Sequence, residues 1–147
     1  MQRVGPLHAF HLAANAKGQT SGIYRITPEL VTQSPTYPRY FGTDADKYAE
    51  RSSLEGLLAT PVPLWVGTAE LDPPPFREQG ELLRDSLRKA GKSFRFVEFA
   101  AHSHMSEAYS IHSDDRSVGD ALLGFVRGNS TKRGDGQVAY YRRDSSF

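Results

Sequence analysis

The sequence predicts an α/β fold in which parallel strands carry helices on both faces. Three observations point there. Two short apolar runs, Val62-Pro63-Leu64-Trp65-Val66-Gly67 and Phe94-Arg95-Phe96-Val97-Glu98-Phe99, have the length and the β-branched and aromatic content of buried strands. Between them Phe76, Leu83, Leu87 and Ala90 recur at intervals of 7, 4 and 3 residues, the mark of one buried helical stripe. Each strand then runs into a polar turn, the first carrying Glu70 and Asp72, the second His102 and His104. Parallel neighbours joined by a helix release their carboxyl ends on one edge of the sheet, where open α/β folds place their ligand sites.

The elements can be taken in order. Residues 1–20 form a divergent N-terminal segment, in which Leu7, Phe10, His11 and Ala14 fall at the spacing of a short amphipathic helix. Asn15 to Thr20 then reads as a stop and loop. Residues 28–42 are turn-rich, broken by Pro28, Pro35, Pro38 and Gly42. Thr43 and Asp44 can cap a helix whose apolar face takes Tyr48, Leu54, Leu57 and Leu58. Pro61 and Pro63 stand at the start of the first clear strand, where proline is tolerated. Pro73-Pro74-Pro75 opens the helix between the strands, and Gly91 sits where its C-cap is expected. A last helix follows Asp114-Asp115, with Val118, Leu122, Phe125 and Val126 apolar and an aspartate at its N-terminus to cap it. Residues 128–147 read as a disordered polar tail. The Arg133-Gly134-Asp135 tripeptide inside it is of a kind that polar tails produce by chance.

Composition narrows the function. With 147 residues the chain suits one domain, and 38% hydrophobic, 24% charged and 11% aromatic residues describe a globular protein. A net charge of +1 without a Lys/Arg stripe gives no reason to expect nucleic acid as a partner. With no cysteine there is no disulfide framework. No apolar run approaches the ~20 residues of a membrane span. Arg3 and Ala14-Asn15-Ala16 resemble a secretory leader, but His8 and His11 interrupt its apolar centre. The expectation is a cytoplasmic protein.

Asp72 and His104 are the candidate functional pair. A serine hydroxyl is a poor nucleophile until a base takes its proton, and histidine titrates near working pH. A carboxylate orients the imidazole and stabilises its cation. His104 follows Asp72 by 32 residues, enough for turn, helix, return and strand. The plain alternative is a solvated aspartate that starts a turn before proline. His102 and His104 alternate, so extended backbone would point both the same way, and His112, Asp114 or Glu107 could complete a metal site. The spacing matches no strong zinc motif, and the expectation is no metal. Trp65 reads as core and Glu70 as a polar residue of its turn.

Ser21-Gly22-Ile23-Tyr24, Tyr40-Phe41-Gly42, the run Tyr48 to Leu54, Glu70-Leu71-Asp72-Pro73 and His102-Ser103-His104-Met105-Ser106 occur in that order. Together they resemble the C-terminal part of an α/β-hydrolase, of the esterase/lipase and arylformamidase-like type, over residues 21–127. The resemblance implies Asp72 as triad acid and His104 as general base. It implies hydrolysis of a carboxylic ester, or of an aryl formamide, as a small-molecule substrate and without a cofactor. It also implies a buried apolar strand before Ser21, for which Lys17-Gly18-Gln19-Thr20 is poor material, so that strand is expected to be missing. Ala101 and Ser103 stand where relatives often carry Gly and Asn.

The nucleophile departs most from the pattern. No Gly-x-Ser-x-Gly occurs, the frame that lets a strand-to-helix turn expose its serine. Gly18-Gln19-Thr20-Ser21-Gly22 has its serine one place late, Ser52 and Ser53 lack flanking glycines, and a His-Gly-Gly oxyanion motif is absent. In a full-length relative both features would precede Met1. The expectation is therefore the acid and base half of a hydrolase site, inactive or nearly so alone. Half a sheet also leaves an unpaired edge open to self-association. The alternative is a non-catalytic remnant or interaction module that kept the sheet and lost the chemistry.

Overall fold

The computed structural model describes residues 9–13, 16–111, 113–129 and 137–141. Three parallel strands form its centre: β2 (Ala16–Thr20), β3 (Leu64–Ala69) and β4 (Phe94–Phe99). β1 (Ala9–Ala13) pairs antiparallel outside β2, and β5 (Gln137–Tyr141) pairs parallel with β4. In register, Leu64 lies opposite Lys17 on one side and Phe94 on the other. β3 is thus paired along both edges, and every one of its residues is buried. That is why it reads as an unbroken apolar run rather than an alternating one.

Side chains of the strands alternate between two cores. Leu64, Val66, Phe94 and Phe96 meet Tyr24, Leu54, Leu57, Leu83 and Leu87 on one face. Leu54 and Leu57 belong to α4 (Leu54–Ala59), Leu83 and Leu87 to α5 (Pro74–Lys89), and Tyr24 to the segment after β2. Trp65, Val97 and Phe99 meet Val118, Ala121 and Phe125 of α7 (Ser117–Asn129) on the other face. The arrangement is of α/β type, with helices over both faces of a parallel sheet. α5 ends where the sequence places its stop. Gly91 takes φ +63°, and the Gly91 and Lys92 amides donate to the Arg88 and Leu87 carbonyls, closing the last turn.

Several expectations need correction. Ala9–Ala13 is a strand, not part of an amphipathic helix. Phe10 and Leu12 alternate about His11 at the period of a strand, and pairing with β2 decides against the helical spacing of Leu7, Phe10, His11 and Ala14. The strand expected to be missing before Ser21 is present as β2. Its small and polar residues make a strand because β1 and β3 pair with it on both sides, and Gly18 and Gln19 are buried there. The turn-rich region contains two five-residue helices, α1 (Pro28–Thr32) and α2 (Tyr37–Phe41), each with proline in its first turn, where its missing N–H costs nothing.

The single helix expected from residue 43 to 58 is three pieces. A 3₁₀ turn at Ala45–Lys47, capped by Asp44, leads into α3 (Tyr48–Arg51), and α4 follows. The break at Ser52 and Ser53 has a cause: the Ser53 and Leu54 amides both donate to the Tyr24 carbonyl, and Ser52 Oγ accepts from the Ile26 amide. These bonds tie the segment after Ser21 to α4. Within the expected disordered tail, the described stretch 137–141 is β5. Leu7 and Ala14 of the expected helix, His112 and Arg133-Gly134-Asp135 lie outside the described residues.

Candidate active site

β2, β3 and β4 run parallel, so their carboxyl ends deliver Ser21, Asp72 and the His102–His104 turn to one edge of the sheet. The turns after β3 and β4 are bonded to each other. The Glu70 amide donates to the Phe99 carbonyl at 3.0 Å and the Leu71 amide to the His102 carbonyl at 2.9 Å. Glu70 closes the join, its Oε2 accepting from the Ala101 amide at 2.7 Å. Glu70 is therefore a brace between the turns. Ala101 holds φ +59°, a left-handed conformation that favours glycine.

Asp72 is buried at 4% exposure. Its Oδ2 accepts from the Ala69 amide at 3.0 Å and lies 2.6 Å from Ser21 Oγ. Its Oδ1 faces His104 Nδ1 at 3.5 Å. This is ion-pair distance, longer than an ordinary hydrogen bond; catalytic pairs are often loose at rest and tighten around a substrate. His104 starts α6 (His104–Tyr109), where Ser103 and Ser106 form a reciprocal capping box. Phe76, in the first turn of α5, lies against the imidazole with ring centroids 4.2 Å apart. The His104 side chain remains 21% exposed, so the ring is held on one side and open on another.

The two histidines engage different partners. Ser103 between them keeps extended backbone, φ −102° and ψ 170°, as the N-cap of α6. His102 is buried at 3% exposure. Its Nε2 lies 3.1 Å from Ser117 Oγ and 3.2 Å from Asp115 Oδ2, and its Nδ1 lies 3.3 Å from Ser106 Oγ. Asp115 Oδ1 in turn accepts from the Ser117 amide, capping α7. His102 is thus a structural clamp between α6 and α7. Among the described residues no group of three or more His, Asp or Glu is arranged to hold a metal ion.

Sequence reasoning missed the second layer of the site. Ser21 is 2% exposed, and its Oγ lies 2.6 Å from Asp72 Oδ2 and equally 2.6 Å from Glu107 Oε2. It faces carboxyl groups, which is not the setting of a nucleophilic serine. Its backbone holds φ +31°, while its amide continues the sheet by donating to the Gly67 carbonyl at 3.0 Å. Glu107 is 1% exposed, and burial pushes its carboxyl up from the ordinary 4.5 to about 7, against the lowering effect of Ser21. Burial also raises the Tyr24 hydroxyl, which accepts from the Gly22 amide. Gly67 makes room for the carboxyl, because a Cβ there would lie 2.7 Å from Glu107 Oε1. One signal was legible: Glu107 stands three residues after His104, on the same face once α6 forms.

An acid oriented by an amide and a hydroxyl, facing an imidazole at the edge of a parallel α/β sheet, can orient a general base. No protein-family model matches this chain, and no curated protein does. No helix among the described residues is long and apolar enough to cross a membrane.

Proposed function

We propose that this chain carries the acid and base of an α/β-hydrolase-type site for carboxylic-ester hydrolysis, with Asp72 as acid and His104 as base. The observation that carries the reading is the buried Asp72 carboxylate facing His104 Nδ1 at 3.5 Å, each from the turn after a neighbouring parallel strand. In such a site Asp72 holds the imidazole with its proton on Nδ1. Nε2 then takes the proton of the attacking hydroxyl and returns it to the leaving alcohol. Phe76, with exposed Leu71 and Met105, gives the surroundings an apolar character suited to an acyl or aryl group. The reading needs a serine nucleophile and oxyanion donors that the 147 residues do not supply in a Gly-x-Ser-x-Gly or His-Gly-Gly frame.

The missing frame favours a second reading, a non-catalytic remnant or interaction module with the same sheet. It expects Asp72→Asn and His104→Ala to change neither activity nor binding. The experiment is hydrolysis of a short-chain p-nitrophenyl ester by the purified chain beside its His104→Ala variant. The leading reading expects no turnover above the variant. Turnover lost in the variant would retain His104 as base and place a nucleophile within the chain. Turnover that the variant leaves intact would remove His104 from the chemistry.

A further inference from the structure

Ser21 Oγ makes two contacts of 2.6 Å, one to Asp72 Oδ2 and one to Glu107 Oε2. A hydroxyl has one proton to donate. Two contacts this short cannot share it, so one carboxyl must carry a proton and donate to Ser21 Oγ. Asp72 is the better placed to be the ionised member: the Ala69 amide donates to its Oδ2, and its Oδ1, though it accepts no hydrogen bond, faces the His104 imidazole at 3.5 Å. Glu107 has the environment of the neutral one, being 1% exposed with Oε1 packed against β3 at Gly67 and meeting no hydrogen-bond donor.

We infer that Ser21 and Glu107 are positioning residues for Asp72, linked in one direction: the Glu107 carboxyl donates to Ser21 Oγ, and the Ser21 hydroxyl donates to Asp72 Oδ2. This inference rests on the proposed Asp72–His104 pair and extends it by one layer. The chain occupies Oδ2 and leaves Oδ1 turned to His104. It also stores a proton beside the pair without placing a second negative charge there. The titratable groups facing Glu107 are Asp72 from the turn after β3, His104 from its own helix and Tyr24 from the segment after β2. Asp72 opposes ionisation of Glu107, and His104 favours it. Burial pushes the Glu107 carboxyl up to about 7, which agrees with the direction of the chain. Once Glu107 ionises, two carboxylates flank a single hydroxyl proton, and Ser21 can hold only one of them.

The test combines infrared and nitrogen NMR spectroscopy on the full chain. In wild type at pH 6 the carbonyl stretch of a protonated, buried carboxyl is expected. It disappears in Glu107→Gln, whose amide N–H still donates to Ser21 Oγ. The ¹⁵N shifts of His104 report the fraction of neutral imidazole with its proton on Nδ1. That fraction is expected to persist in Glu107→Gln and to fall in Glu107→Ala and Ser21→Ala. In wild type the carboxyl band is expected to fade as pH rises through about 7. Absence of the carboxyl band, a band indifferent to pH, or a tautomer fraction indifferent to Ser21→Ala overturns the inference. A wild-type His104 without its proton on Nδ1, in the presence of the band, instead overturns the Asp72–His104 reading. The wild-type measurements decide the matter even if the alanine variants fail to fold.

Discussion

Replacing Glu107 with glutamine should flatten the pH dependence of folding stability. The Glu107 carboxyl moves from the ordinary 4.5 to about 7 on burial, so the folded state holds its proton where the unfolded state releases it. A raised carboxyl stabilises fully below 4.5, and that contribution fades as pH rises to about 7. At about 1.4 kcal/mol per unit, the loss across this window is about 3 kcal/mol. Full burial of the side chain means that solvent screening does little to reduce it. Glutamine keeps the shape and one N–H for Ser21 Oγ but has no proton to lose. Urea unfolding of both proteins between pH 4.5 and 8 reads the difference in stability at each pH. Wild type should lose about 3 kcal/mol relative to the variant over that range. A difference that stays constant with pH would refute the assignment of the buried proton to Glu107.

Other perturbations read other joints of the fold. Gly67→Ala puts a methyl 2.7 Å from Glu107 Oε1 and from the Trp65 ring, and should cost about 1–3 kcal/mol in urea unfolding. Ala101→Gly relieves the left-handed backbone at φ +59° and should raise the thermal midpoint, with a gain of about 1 kcal/mol or less after the added freedom of the unfolded chain. Leu83→Ala empties a fully buried site between α5 and the sheet and should cost about 2–5 kcal/mol by the same unfolding assay. His102→Ala should destabilise the protein by loosening the α6–α7 clamp, while leaving the His104 tautomer seen by ¹⁵N NMR as it was.

The centre of the fold was legible because its residues obey one pattern at each level. β4 occupies the expected 94–99, and α5 spans the helical stripe between Pro73 and Gly91. β3 lies two residues later than its apolar run suggested, since Pro61 and Pro63 delay pairing until Leu64. The sheet edge was not legible. Of Lys17 to Thr20 only Thr20 has a strand-favouring side chain, and pairing with two neighbours makes them β2. The junction at Ser52 was hidden for the same reason, as the Tyr24 carbonyl that breaks the helix comes from a distant segment.

In the candidate site, the placement of Asp72 and His104 followed from strand ends. Their approach to 3.5 Å also depends on backbone bonds between the two turns, which leave no mark in residue identity. Ser21 stood out in the sequence as a misplaced nucleophile candidate. Its contact with two carboxyls became visible only when β2 set it beside Asp72. The alternation of His102 and His104 did not say which partner each would meet: His102 reaches Ser117 and Asp115, and His104 faces Asp72.

The ¹⁵N NMR tautomer of neutral His104, measured in wild type and in Asp72→Asn, tests the central claim most directly. The account expects the proton on Nδ1 in wild type and a shift away from that tautomer when the acceptor carboxylate becomes an amide. A His104 that keeps the same tautomer in both proteins would show that Asp72 does not orient it, and the acid–base pair would fall.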